Sequence, residues 1–361
     1  MSFNHGEETD ITGVRDIRKE AKKVFSRLGM AYFLFLAATS IFQVIIICIA
    51  KWTGTAEALK SENRRIVLSM ISMYGIGFPV FWMMVRKMVT GYGNSEFLAE
   101  GESGSFCIEG LEKEKWGILP LFITFLIAVG VMEVGNFIGN GLMNAMSRKL
   151  GTEMVNDVFT LIMQSNMMIM ILFAVIIGPV MEELMFRKIL IDRIIRFGEV
   201  RAAIVSGVLF GLIHGNFYQF FYAFGLGMVF AYVYIRTGKL RITIGMHMVI
   251  NGMSAIIAGG LMKNIEYGQF MELSQAGNLS GAMAVLGSHW FSYALLILYS
   301  LGMLAAAFAG IILLICVCVQ KKIHFLPSAV TIPGRFTYMP VFLNVGMLLF
   351  FVSCVVQFLM M

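Results

Sequence analysis

Apolar residues along this chain neither alternate with polar ones nor recur as narrow helical stripes. They form continuous runs at 28–50, 66–85, 117–143, 166–186, 202–214, 217–235, 242–262, 290–318 and 341–360. A helix crossing the hydrocarbon core of a bilayer needs about 20 such residues at about 1.5 Å each, and most of these runs suit that length. The predicted fold is all-α, a polytopic transmembrane helix bundle of about eight to nine spans. Transmembrane β-barrels are excluded, because their strands alternate apolar and polar residues instead of running continuously apolar.

Composition agrees with that pattern. Of 361 residues, 58% are hydrophobic and 14% charged, where ordinary soluble domains stand near about 45–50% and about 25%. The net charge of +6 comes from 28 Lys+Arg against 22 Asp+Glu. The basic residues sit mainly beside the apolar runs, where they set orientation in the bilayer, so the charge does not imply nucleic acid. Arg15, Arg18, Lys19, Lys22, Lys23 and Arg27 precede the first run and place the N-terminus in the cytoplasm, with the chain in the cell membrane. Threading onward puts the basic loops at 187–201, 236–241 and 321–340 on the same side. The 263–289 stretch, with Lys263 as its one basic residue, then faces the other side. The 51–65 stretch, with Lys51, Lys60, Arg64 and Arg65, runs against the rule.

Four regions follow: a polar cytoplasmic segment 1–27, helices within 28–164 interrupted by a polar loop at 91–116, a core at 165–262, and an outer loop with further helices at 263–361. The first run is too long for the apolar region of a cleavable signal peptide. Five cysteines, Cys48, Cys107, Cys316, Cys318 and Cys354, have no framework spacing, and Cys316-x-Cys318 reads as lipid-facing filler, not a metal clip. No nucleotide-binding loop and no inverted repeat are present, which removes an ATP-driven pump encoded in this one chain and weakens a secondary transporter.

Ionisable residues within apolar runs are costly, at least about 2.5–3.5 kcal/mol at a helix centre, and so are functional candidates. The densest group is Gly178-Pro179-Val180-Met181-Glu182-Glu183-Leu184-Met185-Phe186-Arg187. A packing explanation also exists, in which Glu183 and Arg187 simply form an i,i+4 pair. His214 ends a second run and His247 lies inside a third, with Asn251 one turn beyond it on the same face. Either histidine alone could be a satisfied core residue. Geometry joins His214 to Glu182, while His247, entering from a turn near residue 239, reaches their height only if the first hairpin projects about 12 Å farther into the cytoplasm. A turn centred near residue 198 is about 16 residues from both Glu182 and His214, so two antiparallel helices place these side chains at one height, about 24 Å from the turn. Pro179 removes a helical hydrogen bond, leaves the carbonyl of Val175 unpaired and kinks the span before the carboxylates. A pocket of Glu, Arg, two His and Asn suits hydrolysis, with a carboxylate to take a proton from water and donors to hold an oxyanion.

Glu182-Glu183-x-x-x-Arg187, Phe210-x-x-x-His214 and His247-x-x-x-Asn251, in that order on successive apolar segments, resemble the three motifs of the CPBP family. These are CAAX-type prenyl endopeptidases and bacteriocin-processing membrane proteases, also called Abi-type. The stretch from His214 to Gly227 and the turn Tyr234 to Leu240 are similar to the family as well. The resemblance spans roughly 165–260 and implies a CAAX-protease-like core. It implies a lipid-bilayer setting and a peptide or protein substrate, possibly lipid-modified. By the same resemblance Glu182 would activate water with help from His214, Glu183 and Arg187 would hold the carboxylates, and His247 with Asn251 would bind the oxyanion. The metal question stays open. Glu182, His214 and His247 could furnish zinc ligands, yet His-Glu-x-x-His is absent, and Asn251 beside His247 favours a glutamate-dependent reaction that needs no cofactor. A transporter lined by Glu133, Asn136 and Asn140, which share one helix face, and a non-proteolytic scaffold or immunity protein are the alternatives. Nothing in the sequence sets an oligomeric state or a substrate specificity.

Overall fold

The computed structural model describes residues 6–90, 114–151, 156–326, 332 and 338–360. All regular structure among these residues is helical, and each of the nine apolar runs forms a helix. Seven helices are long and apolar enough to span a bilayer: α1 (Gly6–Trp52), α2 (Glu62–Val85), α3 (Ile118–Leu150), α4 (Met167–Phe197), α6 (Phe217–Thr237), α7 (Leu240–Asn264) and α8 (Trp290–Val319). The remaining runs form the 15-residue helices α5 (Glu199–Ile213) and α9 (Val345–Leu359). The protein is thus a multi-pass helical membrane protein. The polar loop expected at 91–116 lies, apart from its last three residues, outside the described residues, as do Cys107 and Arg335.

A central cluster of α1, α2, α4, α5, α6 and α9 buries Phe25, Tyr32, Phe81, Phe186, Phe197, Phe210 and Phe350. Helix α3 packs on α6 and α8, α5 packs on α6, and α9 returns against α1, so the first and last of these helices meet in one bundle. The outer face of α8 exposes Leu298, Leu301, Phe308, Ile312 and Ile315, a patch suited to lipid contact.

Inside a membrane, helices gain little from hiding apolar surface, so close backbone approach at small residues carries much of their association. Gly207 of α5 and Gly227 of α6 show this directly. A Cβ on Gly227 would lie 2.8 Å from the Gly207 Cα, and one on Gly211 would lie 3.0 Å from the Phe220 carbonyl. Glycine at these positions lets α5 and α6 close into a tight hairpin around the turn at Gly215, whose φ of +65° favours glycine.

The basic stretch 187–201 differs from the expected loop. Helix α4 continues to Phe197, and Gly198 with φ +113° makes the turn. Arg193 is buried and donates to the carbonyls of Val85 and Ile189, while Arg196 pairs with Glu20 at 2.7 Å. Arg236 at the end of α6 pairs with Glu199 at the start of α5. These arginines are internal struts between helix ends, where partners satisfy their charge.

Replacing Gly227 with Val should lower the thermal unfolding midpoint in detergent, because overpacking typically costs about 1–3 kcal/mol. Gly302→Ala, where a Cβ meets nothing within 4 Å, should leave the midpoint near wild type. Equal midpoints for the two variants would show that the α5–α6 contact does not depend on glycine.

Candidate active site

The candidate site is assembled from four consecutive helices, α4 to α7. In α4, local widening precedes the carboxylates. The Gly178 N–H donates back five residues to the Phe173 carbonyl, closing a π-helical turn over Ile171–Ile177. In that register the carbonyl facing Pro179 is that of Ala174, not the Val175 expected for an unbroken α-helix. Proline has no N–H to offer it. The side chain of Asn251, reaching across from α7, donates to the Ala174 carbonyl at 2.9 Å. The proline-induced gap and the third motif are therefore two halves of one contact.

Adjacent positions on a helix point about 100° apart, so Glu182 and Glu183 face different surroundings. Glu183 is wholly buried. Its Oε2 lies 3.0 Å from Arg187 Nε, one turn later on the same helix, and its Oε1 lies 3.1 Å from His247 Nδ1 on α7. The buried Thr243, one turn before His247, also borders this carboxylate. Arg187 is also wholly buried. Its guanidinium lies 4.5 Å from the Phe210 ring centroid and 5.6 Å from that of Phe230, so two aromatic faces supply the rest of its favourable contact.

Glu182 retains 23% side-chain exposure and lines a cavity of about 400 Å³ together with His214, His247, Asn251, Gln219 and Tyr222. Its Oε2 lies 3.6 Å from His247 Nε2. His247 is thus held between the two carboxylates, with Nδ1 on the buried one and Nε2 toward the one facing the cavity.

His214 caps the end of α5. Its Nδ1 lies 2.7 Å from the Phe210 carbonyl, which can only accept, so Nδ1 carries the proton and Nε2 is the free nitrogen of the neutral ring. The following turn is fixed by Asn216, which donates to the His214 carbonyl and caps α6 by accepting from the Gln219 N–H. The ring of Phe210 meets those of Phe186, His214 and His247 edge-on, at centroid distances of 5.2, 5.0 and 5.8 Å.

All six residues singled out from the sequence, Glu182, Glu183, Arg187, His214, His247 and Asn251, thus lie in or directly behind one cavity. Glu133, Asn136 and Asn140 on α3 lie farther along: Asn136 and Asn140 line the far wall of the same cavity, while Glu133 belongs to an adjoining one. Sequence reading missed two contributors. Phe210 appeared only as a motif letter, because its stacking on Arg187 depends on how α5 meets α4. Tyr74 on α2 gave no signal at all. Among the described residues its buried hydroxyl has no hydrogen-bond partner, and it lines a cavity of about 220 Å³ shared with Glu182 and His214. It is a donor available to a water or a substrate oxygen. Among the described residues, no three His, Cys, Asp or Glu side chains converge closely enough to share a metal ion.

Residues 164–253, which hold this whole constellation, match the family described as Type II CAAX prenyl endopeptidase Rce1-like. The likeness of the three motifs to the CPBP family is thus shown over this stretch, about a quarter of the chain. Two relatives align over about the same length. The membrane-embedded CAAX protease MroQ of Staphylococcus aureus (strain USA300) is 36% identical over 97 residues, covering 24% of this chain and 38% of the relative. YdiL of Bacillus subtilis (strain 168), a candidate membrane peptidase, is 29% identical over 103 residues, 28% of this chain and 42% of the relative. The matched stretch thus spans about two fifths of either relative. No solved structure matches the chain. At the level of the family, these likenesses support a membrane protease.

The buried pair has a testable energetic consequence. Arg187→Met leaves Glu183 without its cationic partner, and breaking a buried pair from one side costs about 3–5 kcal/mol. A marked drop in thermal midpoint or in monodisperse yield is expected. The double variant Glu183→Gln with Arg187→Met, which removes both charges, should recover part of that loss. A double variant no better than the single one would show that the pair does not act as a unit.

Proposed function

We propose that this protein is an intramembrane endopeptidase that hydrolyses a peptide bond in a membrane-associated or lipid-modified peptide or protein, using water activated by Glu182. The observation that carries the reading is the division of labour between neighbouring carboxylates. Glu183 is consumed by Arg187 and His247, whereas Glu182 is the one that faces the cavity. A general base must reach water, and only Glu182 of the two can do so.

In this reading, Glu182 takes a proton from a water molecule whose oxygen attacks the carbonyl carbon of the scissile bond. The carbonyl oxygen gains the negative charge of the tetrahedral intermediate. His247, when doubly protonated, presents Nε2–H toward the cavity while Nδ1–H stays on Glu183. The Asn251 side-chain nitrogen has a second hydrogen besides the one given to Ala174. These are the donors for the oxyanion, and preorganised donors of this kind are commonly the largest catalytic contribution. As the C–N bond breaks, the departing nitrogen takes the proton held by Glu182, with His214 Nε2 assisting the transfer. Arg187 and Glu183 position the others and do not react. No step requires a metal. The chain sits in the cell membrane with its N-terminus in the cytoplasm, a placement supported by Arg18, Lys19, Lys22, Lys23 and Arg27 at the start of the first span.

The test is cleavage of a library of membrane-anchored and free peptides by detergent-purified protein. Glu182→Gln should reduce kcat about 10²- to 10⁴-fold, the usual span for a general base, and His214→Ala should reduce it as well. Cleavage retained by both variants would sink the site. Treatment with a chelator should leave the rate unchanged; loss that zinc restores would transfer the chemistry to a metal. Solute flux through reconstituted protein, without cleavage, would favour transport instead.

A further inference from the structure

Beyond the catalytic cavity lies a larger one, of about 880 Å³, bounded by α3, α7, α8 and the short helix Asp157–Gln164. The two are continuous in their walls: Asn136, Asn140, Asn156, Val158, Ile162 and Ser254 line both. Half of its polar side chains are carboxamides. Asn136, Asn140 and Asn144 follow one another at four-residue intervals on α3, Asn156 stands opposite, and Glu133 lies at the end of the row nearer the start of α3, with Asn136 beside it.

We infer that this row is a binding trough for the extended backbone of the substrate polypeptide flanking the bond to be cut. The inference rests on the protease reading above and adds to it where, and by which groups, the chain is held. Four residues of α-helix advance about 6 Å, so the three asparagines form a row about 12 Å long. Along an extended peptide, groups on one side repeat every two residues, or about 6.6–6.8 Å. The row therefore stays in step with about two repeats of a peptide backbone. Each carboxamide offers two donors and an acceptor, as a peptide group needs. Only part of that capacity is taken up internally: the Asn136 side chain donates to Glu133, one Asn140 N–H donates to the Asn136 carbonyl, and Asn156 Oδ1 accepts from the amides of Val158 and Phe159 as a helix cap. An unfolded segment within a membrane must find partners for every N–H and C=O, since lipid supplies none. A hydrocarbon chain would gain nothing from this row. Apolar side chains such as Phe137, Met303 and Leu304 complete the walls and suit alternate side chains of the peptide.

The experiment uses the full-length Glu182→Gln protein in detergent, with a fluorescein-labelled 12-residue Leu/Ala/Ser peptide as probe. A second probe replaces alternate amides by esters, deleting N–H donors without changing shape. The amide probe should bind at least about tenfold more tightly than the ester probe, as expected for losing a few hydrogen bonds. Asn136→Leu combined with Asn140→Leu should abolish that preference. Equal binding of both probes, or an unchanged preference in the asparagine variant, would overturn the trough. So would displacement of the probe by a long-chain isoprenoid alcohol together with indifference to the ester, which would assign the cavity to lipid. In the protein with Glu182 intact, the asparagine variant should raise KM for a cleaved library peptide with kcat nearly unchanged. Glu182-dependent cleavage with unaltered KM would remove the trough and leave the protease standing. Asparagine-dependent binding without any cleavage would do the reverse.

Discussion

The structure turns on a charge pair in a place where charge is expensive. Glu183 and Arg187 are wholly buried at 3.0 Å, with His247 on the other carboxylate oxygen and the rings of Phe210 and Phe230 over the guanidinium. Each element of this unit comes from a different helix: α4 brings the pair, α5 and α6 the aromatic faces, α7 the histidine. None of the charges could stand alone in this interior, so the helices are held to the arrangement in which every partner is present. The remaining geometry of the site, including which side of α4 faces the cavity, follows from that registration.

Around this unit, irregular backbone is compensated by specific side chains. The π-turn before Pro179 leaves the Ala174 carbonyl without a backbone donor, and Asn251 fills the vacancy from α7. The short helix α5 ends in the middle of the bundle, and its terminal turn is closed by Gly215 and Asn216 while His214 anchors to the Phe210 carbonyl. Helix ends and broken helices are tolerated at membrane depth only where protein groups satisfy them. Here those compensating groups lie in or next to the motifs themselves, which is why structural and chemical roles are hard to separate in Asn251 and Phe210.

Much of this was legible beforehand for a simple reason. In a chain that is 58% hydrophobic, continuous apolar runs mark the helices, and the few ionisable residues inside them stand out against the background. Helical arithmetic from the turn near 198 sufficed to bring Glu182 and His214 to one height, and the turn is at Gly198. Long-range partners were not legible. Arg193 and Arg196 looked like a basic loop, because a linear reading cannot see Glu20 or the Val85 carbonyl that receive them. Tyr74 carried no pattern, since a tyrosine in an apolar span is ordinary until its hydroxyl is seen beside the cavity that Glu182 and His214 line.

The sequence by itself determined the material of the protein: helices long enough for a bilayer, their order, and the six polar residues set among them, because hydropathy and spacing are properties of the chain read in one dimension. Tertiary structure alone decided how those residues divide their tasks. Glu182 and Glu183 are the same residue type at neighbouring positions, and no pattern distinguishes them. The rotation of α4 against α7 does, turning one carboxylate into a closed cage of Arg187 and His247 and the other toward the cavity. That rotation is set by packing contacts far apart in the chain, to which local sequence is blind.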